Sequence, residues 1–459
     1  MNRSIISMLL ATFVLRVSTA ITGIMLVFLI DEMTRNRGTG PGTISLLTGG
    51  FYATELVGAI LFGVLADKYG RKVIMLLGPL FGGVAVFMTG LTTHLPVLFV
   101  TRLLEGSSTA ASIPSTLGFI AAETAEDEGL RGKVVSLFEL VSLGGMLAVG
   151  PAFGSILWEN LGRSAFFLNC VFYALALCLY AYGVSEVPRD RRADISAPAV
   201  PVDRGVALAR LWRIVTSRRV LLFAPTWLAI NAILGLWALQ APLLLKGNIQ
   251  DTSQFLMKGV SPSTIGFGEA ILAVVFGAGL LFWGLVYARF RRTTMILLGV
   301  GAFVAMTCDV LAINHLGGTS TTLLIALGGV GMVALFVMSG ATPAALGLLA
   351  DVSEGFEEDR SAIMGMYSVF LGVGQVIGAA VGGLAASWKG IDGLIVATAG
   401  LLAVGILALM NLRAHEGAIL DGMVHHGAPV TLGDSLRGTL SMAGSRQPAP
   451  AEAAAKEER

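Results

Sequence analysis

Apolar runs about as long as a bilayer is thick recur along the whole of this chain, and each can cross as one helix. They fall near 5–30, 44–66, 73–92, 97–122, 133–158, 164–185, 220–245, 264–288, 293–313, 320–349, 362–387 and 392–412, here called spans 1 to 12. Charged residues make up only 13% of the 459, and hydrophobic ones 55%. A soluble domain carries about 25% charged residues. The net charge of +1 leaves no electrostatic footprint for nucleic acid. The first run is too long for a signal-peptide core and reads as an uncleaved span. Prolines inside spans 4 and 10 predict kinks at Pro114 and Pro343.

Lys and Arg placement sets the expected orientation. Loops on one side hold 18 bases, among them Arg3, Lys68, Arg71, Lys72, Arg131, Lys133, Arg289, Arg291, Arg292, Arg360 and eight arginines between Arg189 and Arg219. The alternate loops hold 6: Arg35, Arg37, Arg163, Lys246, Lys258 and Lys389. Both termini are therefore expected in the cytoplasm, in a multi-pass protein of the cell membrane, here a bacterial inner membrane.

The expected domains are a bundle over 1–185, a basic linker over 186–219, a second bundle over 220–412, and a tail over 413–459, disordered for most of its length. The linker carries Pro188, Pro198 and Pro201, with a short surface helix expected near Val206–Val215. The bundles repeat. At an offset of 229 residues Pro114 falls on Pro343, Leu117 on Leu346, Gly118 on Gly347, Arg131 on Arg360, Gly145 on Gly374 and Gly154 on Gly383. Parallel six-span repeats place a substrate cavity at their interface near the midplane.

Between spans 2 and 3 stands the charged turn Gly63-Val64-Leu65-Ala66-Asp67-Lys68-Tyr69-Gly70-Arg71-Lys72. Its glycines permit a tight turn, one acid precedes it and bases cluster around it. This turn resembles the loop between helices 2 and 3 of major facilitator superfamily transporters. The second half has a worn counterpart from Gly284 to Arg292, in which Ala288 replaces the acid. The resemblance implies a gating latch: Gly63, Asp67, Gly70 and Arg71 are carried over, with Lys72 beside them, and Asp67 would face the start of span 11 near Ser361. A topology-setting basic turn is the plainer reading.

Two further segments carry the resemblance. In span 5, Gly145, Gly150, Pro151 and Gly154 are similar to the motif of the drug:proton antiporter branch, although Ser155 stands where a second glycine is usual. Gly150 and Gly154 share a face, so the stretch also reads as plain helix packing. In span 4, Arg102-Leu103-Leu104-Glu105-Gly106 resembles the family's Arg-x-x-x-Gly segment, whose arginine faces the cavity in proton coupling. Arg102 and Glu105 are three apart and can instead pair along their own helix.

Arg16 and Glu55 lie about eleven residues into spans 1 and 2 from opposite ends, so both reach the midplane at roughly 1.5 Å per residue. Opposite charges at one depth form either a static pair or a site where Glu55 exchanges a proton for Arg16 or for a cationic substrate. Glu139 is read as structural, snorkelling or paired with a base. Glu269 and Asp309 are expected at the membrane interface. Trp227 and Asn231, with Trp237, Gln240, Tyr367 and Gln375, offer aromatic and amide contacts to a substrate.

The three cysteines, Cys170, Cys178 and Cys308, lie in apolar runs and read as buried hydrophobes rather than a metal or disulfide set. No phosphate loop, His-Glu-x-x-His or Gly-x-Ser-x-Gly segment is present. Neither a cofactor nor an enzymatic activity is expected.

The fold class is therefore an all-α membrane protein with twelve transmembrane helices in two pseudo-symmetric six-helix bundles, the major facilitator fold. The function expected from the resemblance is secondary active transport: proton-coupled export of small amphipathic or drug-like molecules. Metabolite uptake, lipid or glycolipid flipping, and a non-transporting scaffold or receptor stand as alternatives. The partners are a small-molecule substrate, protons and membrane lipids, with no nucleic acid, and the unit is a monomer.

Overall fold

The structure, a computed structural model, describes residues 2–37, 40–124, 128–186, 218–247, 253–286, 290–354 and 360–414. Among them nine segments are long and apolar enough to cross a membrane. Two of the nine contain two crossings each. Lys133–Gly183 turns back at Gly162, with φ 52° and ψ −131°. Val369–Ala414 turns back at Gly390, with φ 58° and ψ −131°. Leu95–Glu123, richer in Ser, Thr and charge, is the remaining crossing. Twelve transmembrane helices result.

Gly162 and Gly390 hold nearly the same left-handed backbone in corresponding turns of the two halves, between spans 5 and 6 and between spans 11 and 12. A side chain at either position would be strained. The repeat extends to packing. Gly145, Gly150 and Gly154 of span 5 seat span 1 at Phe13–Ile24. Gly374, Gly378 and Gly382 of span 11 seat span 7 at Leu228–Leu236. Small residues let these backbones approach, and dispersion holds them there. Each half has its own apolar core. Tyr173, Tyr180, Phe119 and Phe166 lie in the first, and Phe223, Trp227, Phe303 and Leu335 in the second.

Two expectations sharpen and one changes. Span 10 breaks at Ser339-Gly340, between Thr321–Met338 and Ala341–Glu354, rather than at Pro343 itself. The proline ring clashes with the carbonyl four residues earlier, which belongs to Ser339. Span 4, by contrast, stays helical through Pro114. Pro151 is accommodated by a widened π turn over Gly144–Val149, where the Gly150 N–H donates to the Gly145 carbonyl. Cys178 and Cys308 are exposed and Cys170 half-buried, because an apolar position on a span can face lipid as readily as the core. The linker helix, the tail and residues 287–289 of the second hairpin lie outside the described residues.

Candidate functional site: charged clusters and the contacts between halves

The charged turn is built on one residue. Gly70, with φ 115° and ψ 138°, ends the helix Pro41–Tyr69 and starts Arg71–Leu91. Its N–H donates to the Ala66 carbonyl at 3.0 Å. Arg71, only 6% exposed, reaches under span 4 and donates to the Gly118 carbonyl. A Cβ at Gly118 would come 2.9 Å from the Arg71 Nε, so this repeated glycine makes room for the guanidinium. Lys72 Nζ donates to the Ala181 carbonyl at 2.7 Å, in the last turn of span 6, where the helix end attracts a cation. The turn thus ties spans 2 and 3 to spans 4 and 6. The Glu186 carboxylate packs on Gly70, and Gly63 faces Pro114. The Asp67 side chain and those of 361–368, Tyr367 included, lie outside what is described.

In span 4, Arg102 pairs with Glu105 along its own helix, at 4% and 0% exposure. Tyr173 of span 6 donates to Glu105 Oε1 at 3.5 Å and lies 3.4 Å from the Thr19 hydroxyl. Gly106 lets span 4 press on the Phe51 carbonyl and the Glu55 backbone of span 2. The pair is buried within the first half.

Arg16 behaves differently. It is half-buried above Gly145, and two carboxylates stand on neighbouring spans, Glu55 of span 2 and Glu139 of span 5. Among the described residues no ion pair within 4.0 Å joins it to either. Glu139 is exposed and Glu55 half-buried. Sequence depth points to Arg16 and Glu55, and the sequence reads Glu139 as structural, snorkelling or paired with a base.

In the second half, Asn231 is 1% exposed and donates to the Trp227 carbonyl at 2.8 Å. Trp227 stacks on Phe223 with centroids 6.1 Å apart. Both lie in the bundle core, with Asn231 over Gly374 as Arg16 lies over Gly145. Gln375 is half-buried. Asp309, expected at the interface, is 6% exposed and buried against Gly331.

The contacts between halves went largely unread in the sequence. The Ser263 N–H at the start of span 8 donates to Glu159 Oε2 at the end of span 5, at 3.0 Å. Gln240 at the end of span 7 donates to the Pro41 carbonyl and the Ser45 hydroxyl, both at 3.0 Å. Ser45 in turn donates to the Ala379 carbonyl of span 11. Gly266 lies against Pro151 and Ser155, Gly383 against Ser45, and Gly372 against Leu56. Leu243 and Ile265 of the second half enter the first half's core. These contacts seal the side away from the chain termini and reach inward to Leu56–Gly372.

Residues 8–257 and 252–432 match the Major Facilitator Superfamily in two overlapping stretches. The chain belongs to that superfamily. It is a multi-pass membrane protein of that superfamily. Multidrug resistance protein 1 of Bacillus subtilis is 30% identical over 172 residues, covering 37% of this chain and 43% of that protein. Puromycin resistance protein pur8 of Streptomyces alboniger is 37% identical over 134 residues, covering 29% of this chain and 25% of that protein. The chain thus spans under half the length of either relative. Among solved structures, a nucleoside transporter NupG mutant superposes with a TM-score of 0.70 at 12% identity, covering 89% of this chain and 99% of that one. That likeness concerns the fold alone.

Proposed function

We propose that this transporter exports small amphipathic or drug-like molecules in exchange for protons, with both termini in the cytoplasm and the sealed side outside. The observation that carries the reading is Arg16 and Glu55, half-buried in spans 1 and 2 without an ion pair between them among the described residues. Glu55, half-buried, has no cation within 4.0 Å among the described residues to compensate its charge. Burying that charge is costly, so the cleft takes up either a proton or a cationic substrate, and each displaces the other. One elementary charge crossing 100 mV contributes about 2.3 kcal/mol, enough to sustain roughly a forty-fold gradient.

The antiparallel register of spans 2 and 11 supports a latch on the opposite side. Pro41 and Ser45 meet Gly383, and Leu56 meets Gly372. Continued at the same pace, the register brings Asp67 level with Arg360-Ser361 when that side closes. The two bundles, 1–185 and 220–412, then rock about the cleft as a monomer, joined by the basic linker. Drug-resistance relatives support the substrate class.

Purified protein in liposomes with an imposed pH gradient tests this. Adding lipophilic cations should release protons from the protein-loaded side, and Glu55→Gln should abolish that release while leaving substrate binding measurable. Unchanged coupling in Glu55→Gln would end the proton-site reading. Flux indifferent to pH would favour a facilitator or a flippase.

A further inference from the structure

A polar knot ties three segments of the second half together on the sealed side. Gln254, from the loop between spans 7 and 8, is 1% exposed, and Asn314, near the end of span 9, is fully buried. The Gln254 side chain donates to the Lys389 carbonyl and accepts from the Asn314 side chain and the Asp392 N–H, each at 3.1 Å. Asn314 also donates to Asp392 Oδ1 at 2.9 Å and accepts the Leu256 N–H at 3.2 Å. Asp392 stands at the start of span 12, just past the Gly390 turn, on which Met257 packs. The knot reaches water at His315. Its side chain is 42% exposed, and its Nε2 lies 2.9 Å from the same Asp392 Oδ1.

The loop leads back to the seal. Leu256 and Met257 join Leu236 and Leu244 of span 7 in one apolar cluster. The Val260 N–H donates to the Leu245 carbonyl at 2.8 Å, and Gly247 lies on Gly259, so the loop closes at its neck. Leu239, with φ −114° and ψ −11°, separates a short helix, Gln240–Leu245, from the body of span 7. That helix carries Gln240 and Leu243 onto the first half, and Ser263, just past the neck, meets Glu159. Whatever holds the loop therefore holds both of the second half's contributions to the seal.

Histidine changes charge between about pH 5 and 8. A neutral imidazole can still hydrogen-bond to a carboxylate, but the imidazolium bond is charge-assisted and roughly twice as strong. The other charged groups around the knot are Lys258 of the loop, whose ammonium lies over the Phe255 ring and beside Gly318, and Lys389 of the turn between spans 11 and 12. Lysines titrate well above this range. Asp309, deeper on span 9, lies against Gly331 instead.

We propose that His315 is a pH-sensitive pin. Protonated, it grips Asp392, fixes the loop and keeps the helix Gln240–Leu245 in the sealed position. Neutral, it slackens the knot and lets that side open more readily. The proton binds more tightly in the pinned state, so the stabilisation is present at low pH and lost as pH rises. With the sealed side outside, which rests on the proposed orientation, the pin senses external acidity.

The test is amide hydrogen exchange of the full chain in phosphatidylcholine nanodiscs, followed in peptides covering 240–247 and 253–261. Exchange is compared at about pH 5 and about pH 8, the limits of the histidine range, after correction for the intrinsic rates. Protection should be about two- to five-fold higher at the lower pH, the span expected for a partly exposed ion pair. His315→Gln should lose this step. His315→Arg, charged throughout, should hold the acid-state protection at both pH values, and it serves if His315→Gln fails to fold. Equal protection at both pH values in wild type, or a step that survives in either variant, would overturn the pin. The measurement involves no flux, so the pin can fail while proton-coupled export stands, and the reverse.

Discussion

Glu159 and Ser263 join the two halves of the transporter: the carboxylate at the end of span 5 accepts the backbone N–H at the start of span 8, at 3.0 Å. The first turn of a helix presents unsatisfied N–H groups and a partial positive charge, so an anion from another helix can cap it. An exposed contact of this kind is screened by salt. Replacing Glu159 by Ala should shift the population toward states open on this side. Distances between spin labels at the ends of spans 5 and 8 should lengthen in the variant, and in wild type the same shift should grow with salt.

Gly266 lies where spans 5 and 8 touch, and a Cβ there would come 2.6 Å from the Pro151 carbonyl. Backbone cannot yield as a side chain can. Gly266→Ala should therefore cost the sealed state about 1–3 kcal/mol and lower transport without unfolding the protein. Transport assays combined with thermal unfolding in detergent check both halves of that statement.

Arg102 and Glu105 are a buried pair within span 4. Glu105→Gln leaves the guanidinium buried without its counter-charge, and removing one partner of such a pair costs about 3–5 kcal/mol. Arg102→Met with Glu105→Leu should recover most of that stability, because the desolvation penalty disappears with both charges. Melting temperatures of the single and double variants form the measurement, and equal melting temperatures would contradict it.

Gly70 is the whole of the turn between spans 2 and 3, with φ 115°. Gly70→Ala should destabilise the first half by about 1–3 kcal/mol, the range for a residue held in a sparsely populated backbone region. A second penalty comes from the Glu186 carboxylate, whose Oε2 would lie 3.0 Å from the new Cβ. Arg71→Lys should weaken the tie to span 4 as well, since the ammonium lacks the planar fork of donors. Unfolding midpoints with and without each substitution test the turn.

The crossings, the two halves and the charged turn were legible because each follows from a local or periodic property. A bilayer sets the length of an apolar run, and a repeated Gly or Pro at one offset betrays a repeated unit. Gly145 and Gly374 read as equivalents in the sequence, and the structure seats span 1 on one and span 7 on the other. Apolarity could not say which way a span faces, so Cys178 and Cys308 were expected inside and stand outside.

What the chain's residue order determined by itself was how many times it crosses, where it repeats, and which rare charges lie at which depth. The tertiary structure alone decided partnership. It closed Arg102 onto Glu105, set Tyr173 against that pair, and buried Asp309 against Gly331. Depth along a helix is fixed by the count of residues, but facing depends on how neighbouring helices rotate and slide until their small residues meet. That choice is made by packing summed over many spans, and no single segment contains it.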